Sequence, residues 1–110
     1  MENHEYIDPE DALKRVGGNM GLYQKLLGRF ADSNYIEAIE TALQNGDIDE
    51  AARQVHSLKG VSANLSLVKL RALSIELEEK IHSGQDHSEC LANLKQTHMT
   101  TLEKITELSG

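Results

Sequence analysis

The sequence is poor in residues that crosslink small proteins and in residues that stack on nucleic-acid bases. Its 110 residues include one cysteine, Cys90, no tryptophan and only 4% aromatic residues in total. A single cysteine forms no internal disulfide and fits no multi-cysteine zinc pattern, so we expect a reducing, cytoplasmic setting. A chain of this length can bury one hydrophobic core without such crosslinks.

Long apolar runs and an excess of positive charge are also missing. No stretch approaches the roughly 20 apolar residues of a membrane-spanning helix, and residues 1–5 lack the features of a signal peptide. The chain has 11 Lys and Arg against 18 Asp and Glu, a formal net charge of −7, which disfavours binding to nucleic acid. The sequence therefore predicts a soluble protein without membrane contact, whose partner is another protein.

Proline and strand patterns are scarce as well, and this favours helices. The one proline, Pro9, follows Asp8, and this pair suits a helix start because Asp caps the helix and Pro fits its first turn. Gly17 and Gly18 are expected to end this short first helix. Beyond it, apolar residues recur at steps of three and four, which is the spacing of one buried helix face.

Four longer amphipathic helices are expected after the first. Capping residues, glycines and breaks in the apolar pattern bound them at about 19–43, 47–65, 70–83 and 86–108. Short connections predict an all-α fold, an antiparallel up-down four-helix bundle with the short extra N-terminal helix across one end.

The helix at 19–43, the second in the chain, has an irregular apolar pattern. Ile36, Ile39 and Leu43 drift away from the stripe that contains Leu27 and Phe30. Either the helix bends and packs on another neighbour, which we favour, or these side chains form an apolar patch for a partner.

One histidine is predicted on the solvent-exposed face of the helix at 47–65, the third in the chain. A helix advances about 100° per residue, so His56 lies roughly 130° from the centre of that helix's apolar stripe. Ala52, Lys59, Gly60 and Ala63 share its face, which is therefore almost bare around one imidazole and one ammonium group. Gly60 inside a helix costs about 1 kcal/mol relative to Ala, which suggests that another protein approaches closely there.

A carboxylate is predicted beside this imidazole. If the helices at 47–65 and 70–83 form an antiparallel hairpin that turns near Ser66, His56 lies level with Glu78. An acceptor on one ring nitrogen would hold the tautomer that leaves the other nitrogen nucleophilic. Lys59 would then meet the anion that the imidazole acquires. These are the requirements for carrying a phosphoryl group on histidine.

Two segments carry a family resemblance. Residues 56–65 read HSLKGVSANL, which resembles the signature of the histidine-containing phosphotransfer (HPt) domain, a phosphorylatable His followed by an apolar residue, Lys, Gly and small residues. Upstream, DALKRVGG at 11–18 and the apolar residues from Leu22 to Phe30 resemble the lead-in of HPt domains at the ends of bacterial hybrid sensor kinases. The resemblance implies one HPt domain at 8–108, with flanking tails at 1–7 and 109–110.

The resemblance also implies roles for the residues of the bare face. His56 would accept a phosphoryl group on Nε2 from a receiver-domain aspartate and return it to another receiver. Lys59 would help to stabilise the phosphoryl group. Gly60, with Ala52 and Ala63 beside it, would clear room for the receiver.

Two departures from the family pattern stand close to this site. Glu78 occupies the place where the family often has Gln bonded to the imidazole, and a carboxylate there could repel the phosphorylated form. The family commonly has Gly where Ala63 and Ser66 stand, so the end of the helix and its turn are expected to differ slightly from the usual shape.

Structural alternatives remain for several residues. Gly60 could instead mark close helix packing, and Glu78 could pair with Arg71 or Lys80 on the surface. No metal site is expected from the histidines near residue 84, because their spacing fits no helical ligand pair and a third ligand is lacking.

The whole pattern predicts a phosphoryl carrier in two-component signalling. The sequence has no Gly-rich phosphate loop or Walker pattern, so it does not predict an ATP-using kinase or another enzyme. The carrier would need no cofactor, because the Mg²⁺ for aspartyl transfer would belong to the receiver. Its partners would be receiver domains of response regulators or of a hybrid sensor kinase, met by a monomer. The alternatives are the phosphotransfer domain of a chemotaxis-type histidine kinase and a non-catalytic helical adaptor.

Overall fold

The computed structural model describes residues 6–109, and every regular element in that range is a helix. The elements are α1 (Pro9–Arg15), α2 (Met20–Ala31), α3 (Tyr35–Gln44), α4 (Ile48–Asn64), α5 (Val68–Ser83) and α6 (Ser88–Ser109). Residues 1–5 and 110, which belong to the predicted tails, lie outside the described residues. None of the helices within 6–109 is both long and apolar enough to cross a membrane.

Capping side chains and glycines set the helix ends as the sequence predicts. Asp8, Asn19 and Asp47 each accept a hydrogen bond from the backbone N–H three residues later, at 3.2, 3.0 and 3.2 Å. Gly46, two residues after the end of α3, and Gly84, directly after α5, both have a φ of 72°. This left-handed conformation is easily reached by glycine and ends a helix.

The prediction of one continuous second helix is wrong, because the chain breaks between α2 and α3. Residues 32–34 are Asp, Ser and Asn, whose side chains offer the backbone alternatives to helical hydrogen bonds. The hydroxyl and the N–H of Ser33 both donate to the carbonyl of Phe30, at 2.5 and 3.0 Å, and close a turn.

This break explains the irregular apolar pattern of the segment. Separated from α2, α3 turns its own apolar side towards α4, where Ile39 is fully buried and Ile36 and Leu43 are partly buried against the core. The preferred interpretation, packing on another neighbour, is confirmed, and the exposed patch is excluded.

The helices form the predicted up-down four-helix bundle, in which α2 and α3 together take the place of one of the four long helices. These two helices together run antiparallel to α6: the Gln24 amide donates to the carbonyl of Leu108 at 3.3 Å, and further along Lys95 pairs with Glu40 at 2.8 Å. Around the bundle, α3 packs on α4, α4 on α5, α5 on α6 and α6 on α2. The predicted all-α fold class is confirmed.

The apolar stripe of α4 decides which of its faces meets water. Its buried residues are Ala51, Val55, Leu58 and Ser62. Since α3 and α5 flank this stripe, the opposite face of α4, which carries His56, is left at the surface.

The short α1 lies at the end of the bundle where α4 turns into α5. The N–H of Asp8 donates to the carbonyl of Ser66, in that turn, at 3.0 Å. Ile7, which the sequence analysis placed in the N-terminal tail, is buried in the core. The packed structure therefore includes this residue, because its apolar side chain is covered when α1 docks.

Candidate functional site

The α4–α5 hairpin brings His56 and Glu78 together. Nδ1 of His56 lies 3.0 Å from Oε2 of Glu78, and Nζ of Lys59 lies 2.6 Å from Oε1 of the same carboxylate. The predicted proximity of Glu78 to His56 is confirmed. The alternative pairing of Glu78 with Arg71 or Lys80 is wrong, because the ion pairs of Glu78 within the described residues are with His56 and Lys59.

The charge on Glu78 fixes the tautomer of the imidazole. The hydrogen bond from Lys59 lowers the pKa of Glu78 below its usual value, burial opposes this, and the hydrogen bond from His56 adds to the lowering. An ionised carboxylate only accepts hydrogen bonds, so Nδ1 must carry the proton. In the neutral ring Nε2 is then the nitrogen without a proton, and it has no hydrogen-bond partner among residues 6–109.

The three side chains lie at different depths in the surface. The His56 side chain is 70% exposed, that of Lys59 30% and that of Glu78 15%. The carboxylate therefore sits at the base of the site, where water screens it less, and the imidazole projects above it into solvent. This arrangement can present a nucleophilic nitrogen to a partner without moving any helix.

The structure gives Lys59 a contact that the sequence analysis missed. Its ammonium group is bound to Glu78, whereas the sequence analysis considered it only as a partner for an anion on the imidazole. The signal for this contact was present, because Lys59 lies one turn after His56 on the side that faces α5. Its role towards a phosphoryl group stays a prediction.

The face around His56 is as bare as its sequence indicates. Gly60 is exposed, and a Cβ added to it would meet nothing within 4 Å. The alternative that Gly60 allows close helix packing is therefore wrong. Ala52 and Ala63 are partly buried on either side, and together these small residues leave open space beside the imidazole.

A family comparison identifies the class of this site. The model of the Hpt domain family matches residues 26–108, well over half of the chain. The chain belongs to the Hpt domain family. Comparison with curated proteins and with solved structures finds no match. Hpt domains are helical bundles that carry phosphoryl groups on histidine and interact with receiver domains, so the resemblance drawn from residues 56–65 is confirmed.

Other histidines of the Hpt domain have surroundings that differ from those of His56. His98 packs edge-on against Phe30, with ring centroids 5.8 Å apart, and burial lowers its pKa. His82 and His87 belong to no group of three or more His, Cys, Asp or Glu that could hold a metal ion within residues 6–109. Cys90 is buried, and burial raises its pKa, so its thiol serves as a small packing group.

A groove beside the bare face was also missed by the sequence analysis. It has a volume of about 280 Å³ and lies between the α2–α3 break and the end of α4, where Val61 and Asn64 line it. Its far wall consists of Leu26, Phe30 and Tyr35. The groove could not be foreseen because it depends on the break between the two helices.

The tautomer of His56 tests the role of Glu78. Glu78→Leu removes the acceptor, so we expect the Nδ1–H form to lose its preference and Nε2 to take up the proton, as measured by ¹⁵N chemical shifts of the ring. Glu78→Gln is the matched control, because its amide oxygen can still accept from Nδ1. An unchanged tautomer in a folded Glu78→Leu variant would contradict this assignment.

Proposed function

We propose that this Hpt domain is a phosphorelay intermediate, which takes a phosphoryl group onto Nε2 of His56 from one receiver and gives it to another. The observation that supports this most directly is an exposed imidazole whose Nδ1 is held by Glu78, while Nε2 is left open to solvent. No other histidine within residues 6–109 combines an exposed ring with a carboxylate on Nδ1, so the role is proposed for His56.

In the proposed transfer, Nε2 attacks the phosphorus of an aspartyl phosphate in line with the leaving oxygen. The N–P bond forms with the lone pair of Nε2, the P–O bond to the aspartyl group breaks, and the receiver's carboxylate leaves with that electron pair. The Nδ1 proton stays in place, so the ring becomes positively charged. For the return step, the carboxylate of a second receiver attacks phosphorus, and Nε2 regains its electron pair.

Glu78 suits both states of this cycle. Before transfer it orients the ring, and after transfer its negative charge lies 3.0 Å from the nitrogen that shares the positive charge of the phosphorylated ring. Lys59 compensates the carboxylate in the resting state, so an incoming phosphoryl group meets a pair of opposite charges. We infer that Lys59 also reaches the phosphoryl group, because it lies one helical turn from His56.

Docking and positioning would supply most of the catalysis. The receiver would provide the aspartate and its Mg²⁺, and this chain would provide a preoriented nucleophile on a rigid helix. Ala52, Gly60 and Ala63 would allow the receiver to approach the imidazole. We expect the chain to act as a monomer in the cytoplasm, so that the same face can meet successive receivers.

Phosphorylation of the full chain by a receiver tests the proposal. Incubation with a phosphorylated receiver is expected to give an acid-labile, base-stable phosphate on wild type, none on His56→Gln and a normal amount on the control His87→Gln. Labelling only by an ATP-binding kinase domain would favour the chemotaxis-type alternative. If several active receivers bind wild type without labelling it, the result would favour the alternative of a non-catalytic helical adaptor.

Gly60 provides a test of the docking face. Gly60→Gln is expected to raise helix stability by about 0.5–1 kcal/mol, because Gln is the better helix former. The same change should weaken receiver binding and slow transfer at least about tenfold, since a long side chain would fill the space beside His56.

Gly28→Gln is the matched control for this variant. Gly28 is also an exposed helical glycine with nothing within 4 Å of an added Cβ, but it lies on α2. The control should gain stability and keep normal transfer. Normal receiver binding and transfer in Gly60→Gln would show that the bare face is not the contact surface.

A further inference from the structure

The turn between α4 and α5 is held by the N-terminal strap, which we define as residues 6–15. The N–H of Asp8 donates to the carbonyl of Ser66 at 3.0 Å, and the hydroxyl of Ser66 donates to Oδ2 of Asp11 at 2.6 Å. Beside these bonds, the ammonium group of Lys69 lies 4.9 Å from the centre of the Tyr6 ring. The strap therefore contacts the turn through both the backbone and the side chain of Ser66.

Ser66 has a backbone conformation that its side chain opposes. Its φ is 56°, and it is the only residue other than glycine with a positive φ among the described residues. A residue with a Cβ is strained in this region, whereas glycine is not. Ser66 is also buried, with 6% of its surface exposed, so its hydroxyl needs a partner within the protein.

Asp11 supplies that partner with a charged acceptor. The hydrogen bond from Ser66 is the largest cause of the lowered pKa of Asp11, ahead of the hydrogen bond from Arg15. A hydrogen bond to an ionised carboxylate is shorter and stronger than one between neutral groups. The strained conformation of the turn is thus stabilised by a residue of the strap, and not by the turn alone.

The turn can affect the geometry of the phosphorylation site, because it joins α4 and α5, the two helices that form the site. His56 lies before the turn on α4 and Glu78 after it on α5, and both helices are continuous to the turn. On the α4 side, the Tyr23 hydroxyl donates to the carbonyl of Leu65 at 2.8 Å, which anchors this end of α4 to α2. The turn therefore sets where α5 begins against α4, and the 3.0 Å contact between Nδ1 and Glu78 depends on the relative level of the two helices.

We propose that Asp11 and Ser66 are positioning residues of the phosphorylation site, whose hydrogen bond fixes the α4–α5 turn and thereby the spacing of His56 and Glu78. The effect on transfer rests on the proposed function of His56, but the effect on the imidazole itself does not. The bond couples the N-terminal strap to a site on the side of the bundle.

Asp11→Ala in the full chain tests the proposal with two measurements. We expect a smaller fraction of the Nδ1–H tautomer of His56, from ring ¹⁵N shifts, and transfer slowed about three- to tenfold, less than the ~100-fold that a 1 Å misplacement can cause. Glu10→Ala controls for the loss of an acidic residue from the same helix turn. Arg15→Ala controls for the loss of the Asp11–Arg15 pair, and both controls should match wild type.

A rescue variant separates positioning from general destabilisation. Ser66→Gly removes the hydroxyl but adopts the left-handed conformation without strain. We therefore expect Ser66→Gly combined with Asp11→Ala to restore the tautomer and the transfer rate. Ser66→Ala, which keeps the strain and loses the bond, should behave like Asp11→Ala, and Asp11→Asn, which keeps an acceptor, should resemble wild type.

The outcomes distinguish this proposal from the proposed function. If Asp11→Ala and Ser66→Ala fold with a lower Tm but keep the wild-type tautomer and transfer rate, the strap is only structural and the proposal is wrong. If Asp11→Ala does not fold, a wild-type tautomer in folded Ser66→Ala overturns the proposal, and a changed one supports it. If no receiver phosphorylates wild type, the proposed function fails, while the tautomer measurement still decides the role of Asp11 and Ser66.

Discussion

The shared carboxylate of Glu78 is the interaction on which the chemistry of this surface depends. One of its oxygens accepts from Nδ1 of His56 and the other from Nζ of Lys59. The hydrogen bonds from Lys59 and His56 outweigh the opposing effect of burial, so the carboxylate stays ionised and keeps the proton on Nδ1. The imidazole is therefore both exposed and held in one orientation, whereas an isolated surface histidine would be exposed but not oriented.

The Hpt bundle serves this interaction by setting the relative position of two helices. Burial of the apolar stripe of α4 turns His56 outwards, and the antiparallel hairpin places Glu78 beside it. No single helix contains the site, so its geometry depends on the turn at Ser66 and on whatever holds that turn. The small residues on the same face then leave the approach to the imidazole open.

Much of this arrangement could be predicted from local rules. The helix caps, the outward direction of His56 and its level with Glu78 follow from capping chemistry and helical periodicity, which act within a few residues. The break at 32–34 was foreseen only as a bend, from the drift of the apolar pattern, because tertiary packing of Ile39 on the bundle decides the outcome. Likewise, helical periodicity does not reveal the strain at Ser66. It also does not reveal the hydrogen bond between Ser66 and Asp11, which lie far apart in sequence.

In the proposed function, Nε2 of His56 carries the phosphoryl group while Nδ1 keeps its proton and its hydrogen bond to Glu78. The most direct measurement is ¹⁵N and ³¹P NMR of the full chain after incubation with a phosphorylated receiver, with the imidazole nitrogens resolved individually. The account predicts coupling between phosphorus and Nε2 of His56, with Nδ1 still protonated. Phosphorus bound to Nδ1, or to any residue other than His56, would contradict it.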